Sequence, residues 1–111
     1  MMPRPRSKYR NIPTVVDGQR FDSKLEAKVY GDLCLEYGKQ NVIRQVSIPI
    51  GAQRIRPDFM VLIYKDPLDK FEEPSYNVMF IDAKGRETPA WRAKANCLKA
   101  LHGIEIQLRR K

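Results

Sequence analysis

Apolar residues fall in short blocks separated by turn residues, and two spacings recur among them. Thr14-Val15-Val16 and Gln19-Arg20-Phe21 flank Asp17-Gly18, the strongest two-residue turn signal, so a short hairpin opens the ordered part of the chain. From Asp22 to about Gly38 the spacing becomes helical. Leu25, Val29 and Leu33 supply the core stripe, flanked by Tyr30 and Tyr37, and Gly38 is a natural stop. Asn41 to Ile50 alternates loosely through Val42, Ile43, Val46, Ile48 and Ile50 and reads as one strand ending at Pro49 or Gly51. Two stronger runs follow, Phe59 to Tyr64 and Val78 to Ile81. Both are apolar on both faces, which implies cover on both sides. The charged stretch Lys65 to Ser75, with its two prolines, reads as the loop between them. Thr88-Pro89 starts a second helix, with Thr as N-cap and Pro at the first helical position, that runs to about His102-Gly103. Ala90, Ala93, Cys97 and Leu101 form its expected inward stripe, with Trp91 and Leu98 beside them. Arg92, Asn96 and Lys99 form a polar, basic one, with Lys94 off to one side. The alternating Ile104-Glu105-Ile106-Gln107-Leu108 is a closing strand.

This order predicts an α/β fold, a mixed sheet flanked by helices with a short N-terminal hairpin. At 111 residues the chain has room for one modest core and not two, so residues 11–111 form one domain. Residues 1–10 carry Arg4, Arg6, Lys8 and Arg10 with almost nothing to bury. They read as a flexible basic arm, suited to a phosphate backbone or serving only solubility. A formal net charge of +8 points to a polyanionic partner without naming it. No apolar run approaches a membrane span and no apolar block follows the basic N-terminus, so neither a membrane partner nor a secretory leader is expected. Cys34 and Cys97 lack zinc or redox spacing, and buried free thiols in a reducing cytoplasm are the favoured reading.

Charge at the ends of apolar strands carries the chemistry. Arg56-Pro57-Asp58 opens one central run, and Asp82-Ala83-Lys84 closes the other. Buried charge is costly unless it is paired or holds a metal. A hairpin folded about residue 70 pairs position 58 with 82 and 64 with 76. Opposed side chains then lie roughly 4.5–5.5 Å apart at Cβ, where like charges destabilise a sheet. A hard divalent cation between Asp58 and Asp82 turns that liability into a site, Mg²⁺ or Mn²⁺ taking oxygen ligands. Lys84, on the face of Asp82, can orient water or stabilise charge on a phosphate. Without a metal, the same residues make an ordinary ion pair at a hairpin end.

Glu26 has two candidate roles. Ser23-Lys24-Leu25-Glu26 fits a capping box, with Glu26 bonding back to the Ser23 backbone. Its place beside the Leu25/Val29 stripe also allows a third carboxylate near Asp58 and Asp82. Gln45 reads as a satisfied strand residue, and His102 as a surface residue compatible with a helix C-terminus.

The order αβββαβ, with Pro57-Asp58 on the second core strand and Asp82-Ala83-Lys84 on the third, resembles the PD-(D/E)XK nuclease superfamily. Lys8-Tyr9-Arg10-Asn11, Val16-Asp17-Gly18, Phe21-Asp22-Ser23-Lys24-Leu25-Glu26-Ala27, Arg56-Pro57-Asp58-Phe59, Asp82-Ala83-Lys84-Gly85 and Gly103-Ile104-Glu105-Ile106 are similar to one small phage and prophage family assigned to that superfamily, long carried as a domain of unknown function. The similarity spans nearly the whole chain. It departs from the commoner pattern at Asp82, where Glu is usual and Asp an accepted variant. The resemblance implies Mg²⁺-dependent hydrolysis of DNA phosphodiesters in a bacterial host cytoplasm. It gives Asp58, Asp82, the Ala83 carbonyl and Glu26 to the metal, and Lys84 to the water. Arg56, Arg86, Arg92 and Lys94 are expected to contact phosphates. Since no base-reading element is evident, branched, Holliday-junction or replication-intermediate DNA is the expected substrate, and a two-fold homodimer suits a junction with two arms to cut. The alternative is a non-catalytic DNA-binding accessory factor of the same fold, and an RNA-directed nuclease is a third.

Overall fold

The structure, a computed structural model, describes residues 13–16, 18–66, 70–84 and 86–110. The basic arm expected over residues 1–10 lies outside them. Strands β1 (Thr14–Val16) and β2 (Gln19–Phe21) form the expected hairpin, pairing Thr14 with Phe21 and Val16 with Gln19. Helix α1 (Lys24–Tyr37) starts at Ser23, whose hydroxyl accepts the Glu26 N–H, and ends at Gly38, whose φ of 92° lets its N–H return to the Cys34 carbonyl. Its Ala27, Val29, Tyr30 and Leu33 are buried.

The expected single strand over 41–50 is two strands. After a 3₁₀ turn at Lys39–Asn41, β3 (Val42–Arg44) breaks at Gln45, which takes a left-handed φ of 54°. The Gln45 N–H donates to the Asp58 carbonyl at 2.9 Å, closing the neck of an excursion. That excursion is a second hairpin, β4 (Ile48–Ile50) and β5 (Gln53–Ile55), turning at Gly51-Ala52. Periodicity hid the break because Val46 and Ile48 keep the alternation going across it.

The main sheet has the order β3-β6-β7-β8. β6 (Phe59–Lys65) and β7 (Ser75–Ala83) pair antiparallel in the register the sequence predicts, Phe59 opposite Ile81 and Tyr64 opposite Tyr76. β8 (Ile106–Arg109) lies parallel to β7 after the crossover through helix α2 (Pro89–His102). The result is a mixed sheet flanked by two helices.

Alternation along β6 and β7 assigns the faces. Phe59, Val61 and Ile81 are buried with α1 and with Phe21, Tyr30 and Val42. Ile106 pairs with Phe80, on the other face, and packs with Ile50, Ile55 and Leu98 into a second, smaller core under α2. Cover on both sides is therefore only partial. Tyr64, Tyr76 and Val78, at the far end of the β6–β7 hairpin, stay about half exposed.

Helix α2 is capped as expected, Thr88 Oγ1 accepting the Trp91 N–H at 3.2 Å. Its inward face differs from the expected one. Ala90, Ala93, Cys97 and Leu101 are exposed, whereas Leu98 is buried and Trp91, Lys94 and Ala95 are half-buried. The alanines dispersed around the helix mark no face, and the single large residue with a second core to fill, Leu98, sets the orientation. Cys97 is thus a surface thiol and Cys34 only half-buried, correcting the expectation of two buried ones. His102 is not a bare surface residue. Its Nε2 lies 2.8 Å from the Pro49 carbonyl and ties α2 to β4. No helix among the described residues is long and apolar enough to cross a membrane.

Candidate metal centre and basic cleft

The β6–β7 register carries Asp58 and Asp82 to the same end of the sheet, one step beyond the Phe59–Ile81 pair. There the two residues interlock. The Asp58 N–H donates to Asp82 Oδ1 at 2.7 Å, and the Ala83 N–H donates to Asp58 Oδ2 at 2.9 Å. Asp82 Oδ2 accepts the Trp91 indole N–H at 2.7 Å. Both oxygens of Asp82 therefore have a protein donor, which accounts for a carboxylate only 2% exposed.

Asp58 is less comfortably placed. Burial, then the negative charge of Asp82, pushes its carboxyl up to about 7, although the Ala83 N–H pulls the other way. Glu26 adds a smaller upward push and Lys84 a smaller downward one.

Lys84 follows on β7's exit. Its backbone N–H donates to the Arg109 carbonyl at 3.2 Å, and its ammonium lies 5.8 Å from the centre of the Trp91 ring. Trp91 thus touches both charged residues of the Asp82-Ala83-Lys84 segment, holding one by its indole N–H and the other over its ring face.

Beside them opens a cleft of about 480 Å³, lined by Arg54, Ile55, Arg56, Asp82, Lys84, Trp91 and Lys94. The β4–β5 hairpin supplies one wall and α2 the other. Arg54 is anchored by Ser47, its Nε donating to the hydroxyl at 2.6 Å. Four cationic side chains surround one buried carboxylate, so the opening is electropositive.

Of the residues singled out in the sequence, Asp82, Lys84, Arg56 and Lys94 line this cleft, while the Asp58 N–H donates to Asp82 behind it and Asp58 in turn accepts the Ala83 N–H. Arg86 and Arg92 are exposed and are not part of its lining. Glu26 is buried in the first turn of α1, its Oε1 3.5 Å from the Arg44 guanidinium. The Ser23 hydroxyl accepts the Glu26 N–H at 3.1 Å, the cap's half of the capping box, and the nearby Asp22 backbone amide favours the charged form of the Glu26 carboxyl. Burial, then the charge of Asp22, raises the Glu26 pKa, with Arg44 opposing. Glu26 Oε1 is buried without a hydrogen bond.

Two lining residues were missed in the sequence, Trp91 and Arg54. The polar–apolar–polar alternation of Arg54-Ile55-Arg56 was a strand signal that placed both arginines on one face. A lone tryptophan in a helix's first turn needs a partner for its N–H, and a carboxylate was the candidate to look for.

The donor set suits a hard divalent cation. Asp58 and Asp82 offer only oxygens, and they stand together against like-charge repulsion. Two carboxylates with water completing the shell is a common Mg²⁺ arrangement. Among the described residues no group of three or more His, Cys, Asp or Glu side chains is gathered for a metal, although the charge of Glu26 is near enough to push the Asp58 pKa up. No family model, curated protein or solved structure matches the chain.

Proposed function

We propose that the protein is a Mg²⁺- or Mn²⁺-dependent DNA endonuclease of the PD-(D/E)XK kind. The observation that carries this reading is the interlocked Asp58–Asp82 pair, with Lys84 beside it, at the floor of a cleft lined by arginine and lysine. A protein that only binds a polyanion gains nothing from two carboxylates facing it.

Asp58 and Asp82 would hold the cation, with the Ala83 carbonyl as a further oxygen. When bound, the cation supplies Lewis-acid stabilisation of the phosphate and an acidified water. The chain's own residues supply the rest. Lys84 Nζ orients the attacking water and offsets negative charge developing on the phosphorane oxygens. Trp91 fixes Asp82 by its N–H and limits where the Lys84 ammonium can go. Arg54, Arg56 and Lys94 hold the flanking phosphates, which gives affinity and register without reading bases. Branched or replication-intermediate DNA is accordingly the preferred substrate, within phage or prophage DNA metabolism. Glu26 remains the candidate for an outer, water-linked contact, its buried Oε1 being ion-paired with Arg44 at 3.5 Å but without a hydrogen bond.

A second reading has one observation behind it. Because both Asp82 oxygens already accept protein N–H groups, the pair could be a structural clasp in a DNA-binding accessory factor. Cleavage of a labelled four-way junction, beside matched linear duplex, flap and single-stranded DNA with Mg²⁺ or EDTA, separates the two. The nuclease cuts only with metal, and the junction most readily. Tight binding without cutting of any DNA would favour the accessory factor.

A further inference from the structure

Trp91 is the largest side chain lining the cleft and the one that phosphate binding does not explain. A surface that only grips phosphates needs arginine and lysine, yet this cationic lining is interrupted by Ile55 and by a half-buried tryptophan. The ring is held at both ends. Its Cβ is fixed to the first turn of α2, and its N–H, which lies in the ring plane, bonds Asp82 Oδ2 at 2.7 Å. That bond uses one edge of the indole and leaves the rest of the half-buried ring to the cleft. The Lys84 ammonium stands 5.8 Å from the ring centre, farther than the roughly 3.5–4.0 Å of a packed neighbour, and so does not cover it.

Fixed cations flank this ring. Lys94 follows Trp91 at i,i+3 spacing, which puts the two on one face of α2. Arg54 and Arg56 are alternate residues of the facing wall. Ser47 clamps the Arg54 guanidinium, its hydroxyl accepting from Nε at 2.6 Å and its carbonyl from a terminal nitrogen at 3.3 Å.

An aromatic platform in an electropositive groove is how proteins hold one nucleic-acid strand, the charges following the backbone while bases stack on the ring. A paired base inside a duplex has both faces covered by its neighbours and offers a tryptophan nothing to stack on. Size points the same way. The 480 Å³ of the cleft falls within the roughly 300–1,000 Å³ of small-ligand pockets, the scale of a nucleotide or two and not of a double helix.

We propose that the cleft binds a single strand of DNA, with one unpaired base stacked on Trp91 and the phosphates flanking that base held by Arg54, Arg56 and Lys94. The choice of DNA rests on the nuclease reading, which this assignment deepens by naming the unpaired nucleotide as the feature the site recognises. Because the ring is clamped at both ends, little side-chain freedom is lost on stacking. Its bond to Asp82 also sets the stacked base beside the carboxylates, so the phosphate presented for cutting is one adjoining the unpaired nucleotide. Stacking tolerates any base, so the selectivity is for structure and not for sequence.

Trp91 is the only tryptophan in the chain, and its fluorescence reports the contact directly. The full chain in EDTA is titrated with a short oligothymidylate, an abasic strand of the same length and a blunt duplex. The oligothymidylate should quench the emission and bind about 10- to 100-fold more tightly than the abasic strand, the worth of one stacked base. The duplex should leave the emission unchanged. Trp91→Phe should keep the preference for bases and Trp91→Leu should abolish it, while Arg54→Gln should weaken both single strands alike. Equal affinity for the two strands, a preference that survives Trp91→Leu, the same quench with duplex, or no binding to any of the three would overturn the proposal. Failure of the nuclease reading looks different: base-dependent binding persists, and no DNA is cut when Mg²⁺ is added.

Discussion

The Asp58 backbone N–H donates to Asp82 Oδ1 at 2.7 Å, while Asp58 Oδ2 accepts the N–H of Ala83, the residue next to Asp82, at 2.9 Å. This reciprocal clasp joins the start of β6 to the end of β7 and holds two carboxylates together that would otherwise part.

The clasp is asymmetric, and the two amide substitutions should reveal it. Asp82 accepts an N–H on each oxygen, so Asp82→Asn must turn its NH₂ against a donor. That substitution should cost about 1–3 kcal/mol. Asp58→Asn can keep an oxygen toward the Ala83 N–H and sheds a charge that burial and Asp82 both disfavour. It should leave stability unchanged or raise it. Thermal melts at pH 8 in EDTA compare the two directly, and equal losses would contradict the assignment.

The metal-free protein should lose stability as pH rises. Asp58 titrates at about 7 in the folded chain, above its ordinary value of 3.8, so the folded state binds the extra proton between those limits. The contribution is fully present below about pH 4 and is lost as pH climbs through 7. Melting temperature in EDTA should fall across that window, and Mg²⁺ should restore it most strongly at the alkaline end. Asp58→Asn should flatten its Asp58-dependent part.

Trp91 is the only tryptophan in the chain, and its indole N–H bonds an oxygen of the proposed metal site. Intrinsic fluorescence should therefore respond to Mg²⁺ or Mn²⁺, and the response should vanish in Asp58→Asn. Trp91→Phe keeps an aromatic face for Lys84 but loses the N–H. Outer partners of metal ligands are typically worth 10–100-fold in affinity or activity, and metal-dependent cutting should fall by that order. Unchanged cutting would remove Trp91 from the positioning role.

Arg54, Arg56 and Lys94 line the cleft and Arg92 does not. Neutralising any of the first three to Gln should weaken DNA binding for all sequences alike and lower the salt slope by about 1. Arg92→Gln should change neither. Binding isotherms across a salt series read both quantities.

How much of this was legible in the sequence depended on the size of the side chains. The β6–β7 register could be read because the loop length and the Phe59 and Ile81 pleat fix it, and a slip of one residue would expose the core. That register alone brought Asp58 to Asp82. The break at Gln45 was hidden, since a left-handed residue in an otherwise alternating run carries no periodic signature. The face of α2 was hidden as well. Alanines at 90, 93, 95 and 100 leave its periodicity nearly flat, and Lys94 turns toward a cleft the sequence could not display. The size of Trp91 marks it as core, whereas its N–H, which periodicity does not report, is what bonds Asp82.

If Asp58 and Asp82 hold a metal for cutting DNA, Asp58→Asn must stop the cutting of the preferred substrate. It preserves the clasp while removing one metal ligand, so failure to fold cannot mimic failure to cut. Cleavage and binding of the same labelled junction should be measured side by side, with Mg²⁺ and with EDTA. The wild type should cut only with metal, and the variant should lose at least about 100-fold in cutting while binding undiminished. Cutting that persists in Asp58→Asn, or that proceeds in EDTA, would contradict a metal site at this pair.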